Sequence, residues 1–360
     1  MEKKIFTTWT LLLQILCLSA VTMHVRAEEA ETASSNKTKS VSKTFELKGN
    51  ERLYVESSFG NTTVIHRNMS SATIQVNIES KSRNEKRAQN NLDRVEVNIA
   101  ERGNTISAIT KMNNNKGNND GESVSITVII TIPPSMDIEM KQSFGNIQLS
   151  DTHTGRAKFE VSFGNLNAAD FTQPLEVSSK FGNVRVGNVP ALSLNLQHSG
   201  DNEVKDCDDL SVDMQFSGLK VGRTKTLKFK NQHGNLSVKQ SDDISGSLSF
   251  GGLNIDKLNN TLIVNKASHS SIDIKEVSSN FKKIDAGADF GNLNIGIPSG
   301  ASFKVNAKKM RFGNVDLGGF TPAVSNVDKD RENHYYEING GRSEIQFNGN
   351  GHSSIRIRKL

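Results

Sequence analysis

The sequence predicts an all-β fold, a single-stranded β-helix (β-solenoid) built of coils of about 17–22 residues. Three observations predict it. A short marker, an aromatic ring followed by a small residue and often Asn, recurs at near-regular spacing. After each marker the chain alternates apolar and polar residues, the period of two of a strand with one buried face. Only one stretch of the 360 residues reads as helix.

The chain opens as a secretory signal. Lys3 and Lys4 precede an apolar run from Trp9 through Val21, and Val25-Arg26-Ala27 supplies a cleavage motif before Glu28, so residues 1–27 are expected to be removed. Gln14 interrupts the run, which falls short of the roughly 20 residues that cross a bilayer, so no membrane span is expected after cleavage. Cys17 lies in the run, but Leu16 before it is not the small residue that lipid attachment needs. Cys207 is then the one thiol left, and no internal disulfide is expected. Net charge falls from +5 to +3 as Lys3, Lys4 and Arg26 leave with Glu2. That balance is too small and too evenly spread to indicate a nucleic-acid partner.

Residues 28–43 are rich in Ser, Thr, Lys and Glu, and read as a disordered lead-in. Residues 44–136 read as a first coil plus inserted strands and a short helix. The strands include Leu53-Tyr54-Val55, Thr73-Ile74-Gln75-Val76-Asn77-Ile78 and Val95-Glu96-Val97-Asn98-Ile99, and the helix falls at residues 84–92. The Asn- and Gly-rich residues 112–122 read as the mobile tip of a hairpin.

Residues 137–360 form the repeat array. The marker stands at Phe144, Phe163, Phe181, Phe290 and Phe312, each followed by Gly-Asn, with an isolated earlier copy at Phe59. Degenerate copies start at His198, Phe216, His233, Phe250, His269 and His352. From Phe144 to Phe312 the steps are 19, 18, 17, 18, 17, 17, 19, 21 and 22 residues. Each ring is followed by a strand such as Val184-Arg185-Val186 and preceded by one that starts apolar, such as Leu175-Glu176-Val177. No unit of this size can bury an apolar face alone, so neighbours must stack. Stacking in parallel would make the rings a buried aromatic ladder, use the small residue for the bend, and leave Asn in left-handed geometry or paired with the Asn above. The unit after His198 departs from the pattern at Asp201-Asn202-Glu203, where a bulge or outward loop is expected.

With these residues in hand, the chain resembles the bacterial putative-adhesin, β-strand-repeat envelope families of unknown function, including those common in Bacteroidetes. The resemblance spans roughly residues 45–358. It rests on the export signal, the recurring Phe-Gly-Asn with its alternating strands, and the Ile130-Thr131-Ile132-Pro133 strand end before the array. It implies an architecture and brings no catalytic or binding residues with it.

Reactive constellations are sparse. The densest acidic cluster is Asp206-Cys207-Asp208-Asp209, with Asp242-Asp243 at a comparable turn, and acidic pairs at turns usually cap the next strand. His198, His233 and His269 alternate with phenylalanines in the ring column, which spaces them too far apart for one ion. Cys207 has no neighbouring base to activate it. The glycines join strand to strand, not strand to helix, so a phosphate cradle is not indicated. Ile355-Arg356-Ile357-Arg358-Lys359 is basic on one face, which suits contact with anionic glycan or lipid and equally an exposed last strand protected by charge. The expectation is a non-enzymatic exported envelope protein of the periplasm or cell surface, with no cofactor or metal and with surface glycans or envelope proteins as partners. A periplasmic structural or sensory component is one alternative, and a carbohydrate-active enzyme on a β-helix is another.

Overall fold

The computed structural model describes residues 35–113, 123–350 and 352–360. The expected signal at 1–27, residues 28–34 of the expected lead-in and residues 114–122 of the expected hairpin tip lie outside them. The chain is all-β, and its strands join in one large open sheet. Among the described residues no helix is long and apolar enough to cross a membrane.

The first part contains β1 (Ser35–Glu46), β2 (Arg52–Ser57), β3 (Asn61–His66), β4 (Ser71–Ser82), α1 (Glu85–Asp93), β5 (Val95–Arg102), β6 (Thr105–Met112) and β7 (Ser123–Ile132). β1 corrects the expected lead-in. It runs antiparallel to β4 from Ser35↔Ser82 to Glu46↔Ser71. Its composition looked disordered because only Val41 and Phe45 pack against the core, while the backbone ladder to β4 supplies the rest. α1 starts where Asn84 accepts hydrogen bonds from the N–H groups of Lys86 and Arg87, and it buries Ala88, Asn91 and Leu92. The expected hairpin across 112–122 also needs correction. β6 pairs with β2 and β5, and β7 with β3 and β4, so the two strands belong to different ladders.

The array follows as β8 (Asp137–Gln142), β9 (Ile147–Leu149), β10 (Ala157–Ser162), β11 (Leu166–Ala168), β12 (Leu175–Lys180), β13 (Val184–Gln197), β14 (Asn202–Gln215), β15 (Gly218–Gln232), β16 (Asn235–Ser249), β17 (Gly252–Ser268), β18 (Ser271–Val277), β19 (Lys283–Asp289) and β20 (Asn292–Ile297). Equivalent residues of successive units pair in parallel. One column runs Leu175, Leu192, Leu210, Leu227, Ile244, Leu262, Ile284, and all seven are buried. A second runs Val186, Val204, Val221, Val238, Ile255, Ile274, Ile295. Burying each such side chain contributes about 1.5–3 kcal/mol, so every unit is held by the apolar columns it shares with its neighbours. β2 and β3 join the array directly by pairing with β8 and β9, while β4–β7 cover their other side.

The Asp201-Asn202-Glu203 unit does not loop out. Asn202 is buried at a strand position, in register with Leu219. Its Nδ2 donates to the carbonyls of Ser199 and Gly218, and its Oδ1 accepts from the N–H of Val184. An amide so satisfied replaces an apolar residue at low cost.

The last part holds β21 (Phe303–Lys308), β22 (Val315–Asp316), β23 (Val324–Val327), β24 (His334–Ile338), β25 (Ser343–Asn350) and β26 (Ser354–Lys359). Here spatial order departs from chain order. β25 lies between β19 and β21, and β26 between β20 and β22, all in parallel. The expectation of an exposed last strand is therefore corrected: Ile355 and Ile357 of β26 are buried. β24 and β23 finish this end as antiparallel additions to β21.

Candidate functional site

The ring positions form the most unusual surface of the molecule. From Phe163 to Phe290 each ring residue has φ between 50° and 58°. In the two earlier units the positive φ falls on the following glycine instead, Gly60 at 103° and Gly145 at 117°. Of the two roles expected of Asn, the left-handed geometry falls instead on the ring or the glycine, and pairing with the neighbouring Asn is present. A left-handed residue breaks the in-out alternation of a strand, so the ring swings out of the bend. The small residue behind it is required by close approach. A Cβ on Gly164 would sit 1.8 Å from the carbonyl oxygen of Gly145, and one on Gly182 1.7 Å from that of Gly164.

Asn holds the units together outside the bend. Asn146 and Asn165 each donate Nδ2 to the Oδ1 of the preceding Asn, at 3.2 and 2.9 Å. The backbone N–H of Asn183 donates to Asn165 Oδ1 at 2.9 Å. Inside the bend, buried amides and hydroxyls satisfy carbonyls that the turn frees. Gln142 Nε2 donates to the carbonyls of Gly60 and Phe144, Ser179 Oγ to that of Gly182, and Asn231 Nδ2 to that of Gly234.

The rings stack face to face. Phe59, Phe144, Phe163, Phe181, His198, Phe216, His233, Phe250, His269 and Phe290 follow one another at centroid steps of 4.7–5.1 Å, with planes within 16° of parallel. His352 comes next at 6.4 Å, and Phe312 is 5.2 Å beyond it, so the ladder follows spatial order and not chain order. The column is not buried, which corrects the expectation of an interior ladder. Its phenylalanines from Phe144 on are 44–62 % exposed, and only Phe59 is more covered. Each ring face is covered by the next ring, and solvent meets the edges. Ten rings at this step, seven phenylalanines and three imidazoles, make an aromatic stripe about 45 Å long.

This placement makes a direct prediction. Phe159 is fully buried against Phe171, whereas Phe163 points outward. Phe159→Ala should cost about 3–5 kcal/mol, and Phe163→Ala less than half of that. Urea midpoints of the two variants check it; equal losses would mean that the ladder is part of the core.

The other candidates do not converge. Asp206 accepts from the Arg223 guanidinium at 2.7 Å, which holds its carboxyl below the usual range. Lys225 donates to Asp208 at 3.0 Å, Asn259 to Asp242 at 2.7 Å and Asn260 to Asp243 at 2.7 Å. The Asp209 carbonyl accepts from the Cys207 thiol at 3.2 Å. The carboxylates of Asp206, Asp208, Asp242 and Asp243 are thus each tied to the next unit. Burial pushes the Cys207 thiol up to about 12, which leaves it a packing residue. A phenylalanine separates each of His198, His233 and His269 from the next.

One pair escaped the sequence reading. His66 and His153 are both buried, with Nε2 of the first 3.2 Å from Nδ1 of the second and their rings stacked. Among the described residues, His66 Nδ1 and His153 Nε2 have no hydrogen-bond partner. Burial lowers both pKa values, that of His153 to about 4, with the His66 ring adding to the effect. The available signal was their common place, a few residues beyond Phe59 and Phe144 in adjacent units.

No protein-family model matches the sequence, and no curated protein matches it. Solved structures do. The chain resembles bacterial proteins named putative adhesins. One is a putative cell adhesion protein from Clostridium sporogenes, at 12 % identity and a TM-score of 0.22, with 90 % of this chain and 100 % of that one covered. A putative adhesin from Parabacteroides merdae is 11 % identical over 89 % of this chain and 96 % of that one, with a TM-score of 0.33. Another from Bacteroides fragilis is 13 % identical over 89 % and 97 %, with a TM-score of 0.27.

Proposed function

We infer that this is a non-enzymatic exported envelope protein, wound as a β-solenoid, whose binding surface is the aromatic stripe. The observation that carries the reading is the exposure of a continuous stack of rings. Soluble monomers rarely leave so long an apolar strip in water unless it meets a partner. Because the ring faces are spent on one another, the stripe offers edges, which suits an apolar or protein surface better than a sugar that stacks on a ring face. Catalysis has little support, since Asp206 and Asp208 of the strongest cluster are paired with Arg223 and Lys225.

Two experiments test the reading. Protease added to intact cells should digest the protein while a periplasmic control survives; protection until the outer membrane is broken would move the partner into the periplasm. A Phe216→Ser, Phe250→Ser variant should keep its melting temperature within a few degrees yet lose retention on washed envelope fractions. Retention equal to that of the unsubstituted protein would remove the stripe from the function.

A further inference from the structure

The order of the seven rings from Phe181 to Phe290 is palindromic. Counting outward from His233, the neighbours on both sides are phenylalanine (Phe216, Phe250), then histidine (His198, His269), then phenylalanine again (Phe181, Phe290). A twofold axis through the His233 rung and perpendicular to the stripe would set each of these seven evenly stacked rings against a ring of the same kind in the other copy; the match ends at Phe163 and His352, the latter already tilted from the ladder. Within these seven rungs, an axis midway between two of them would instead oppose Phe to His.

The geometry points to a second copy of this chain as the partner, docked antiparallel along the stripe with His233 on the twofold axis. Phenylalanine edges then pack on phenylalanine edges. Opposed imidazoles bring ring nitrogens of the two copies within reach of one another. The near-constant step of 4.7–5.1 Å keeps the two stripes in register away from the axis. A patch that must complement itself about a twofold axis is the condition of a closed dimer.

The surroundings favour this partner over a membrane. Beside the rungs from Phe216 to His269 the flanking positions are Gln215, Gln232, Ser249 and Ser268 on one side, with Ser, Gly and Asn on the other. Charge resumes further out, in the ion pairs of Lys230 with Asp213 and Lys257 with Glu276. An apolar centre, a neutral polar border and a charged rim are the make-up of a protein interface, whereas an anionic lipid surface calls for Lys and Arg at the border. The area agrees. Half-exposed rings leave about 100 Å² each, so the stripe offers on the order of 800–1,000 Å², near the ~800 Å² per partner of stable complexes.

This inference rests on the stripe being the binding surface. Its test is cross-linking by single cysteines in the exported protein, where Cys207 is buried and does not compete. Under mild oxidation His233→Cys should form a disulfide dimer, because that rung meets its own copy. Phe216→Cys alone should stay monomeric, and a mixture of Phe216→Cys with Phe250→Cys should form the mixed dimer. Sedimentation should show a concentration-dependent dimer that Phe216→Ser with Phe250→Ser abolishes. A monomer at every concentration, or equal cross-linking at positions 216 and 233, overturns the dimer. So does a monomer that binds neutral phosphatidylcholine vesicles through the stripe, which leaves the stripe as the binding surface and makes lipid its occupant. A dimer lost in the serine variant without loss of envelope retention would support the pairing and sink the broader reading instead.

Discussion

Deleting residues 343–360 should unfold far more than the segment removed. β25 and β26 lie inside the stack, between β19–β20 on one side and β21–β22 on the other, so their loss strips β21 and β22 of their parallel neighbours. Ile345, Phe347, Ile355 and Ile357 are all buried there, at about 1.5–3 kcal/mol each. That sum is comparable to the whole stability of an ordinary domain, about 5–15 kcal/mol. In a stacked array the damage stays local, because each unit touches only its neighbours. Hydrogen exchange should therefore lose protection across residues 303–338 and keep it across residues 157–262. Persistent protection at 303–338 would mean that β21–β24 hold together without the strands beneath them. Phe347→Ala is the milder form of the experiment, with an expected cost of about 3–5 kcal/mol.

Acid should destabilise the opposite end through the buried histidine pair. An unfolded imidazole takes up its proton near pH 6.5, whereas burial delays His153 until about pH 4. Between those values the unfolded chain binds more protons than the folded one, so stability falls as the pH is lowered. The loss from this group approaches ~3 kcal/mol at the bottom of the window. The position next to His153 in the column is occupied by Phe171, so His153→Phe extends an existing arrangement and removes the titration. Denaturant midpoints at about pH 7.5 and pH 4.5 should differ strongly in the natural protein and far less in the variant. An equal drop in both would assign the acid sensitivity to carboxylates elsewhere.

Much of the array was legible because apolar alternation and unit spacing report the same physical event, the burial of one strand face against the next unit. Leu175, Val177, Leu192 and Leu194 lie where their parity places them. The ladder was legible in its spacing and misread in its direction. Counting in twos from Leu175 makes Phe181 an inward residue, and only its positive φ, which composition does not reveal, reverses it. β1 was hidden by its polarity, since an edge strand on β4 needs backbone pairing more than apolar side chains. The placement of β25 and β26 left little trace, because pairing between distant segments is set by which edge is free when the chain arrives. The lengthened steps before Phe290 and Phe312 were the available hint.

The regular register between Leu192 and Ile244 also fixes which changes of length the protein can absorb. Gaining or losing one whole unit of 17 or 18 residues there restores every column and shifts the stripe by a single rung, about 4.8 Å. A gain of half a unit would set strand against bend and bring ring positions over core positions. The interior thus behaves as a chain of interchangeable links between two ends that are not interchangeable, and gene duplication within it can change the reach of the stripe, with units gained or lost in Phe–His pairs keeping the alternation of its rings.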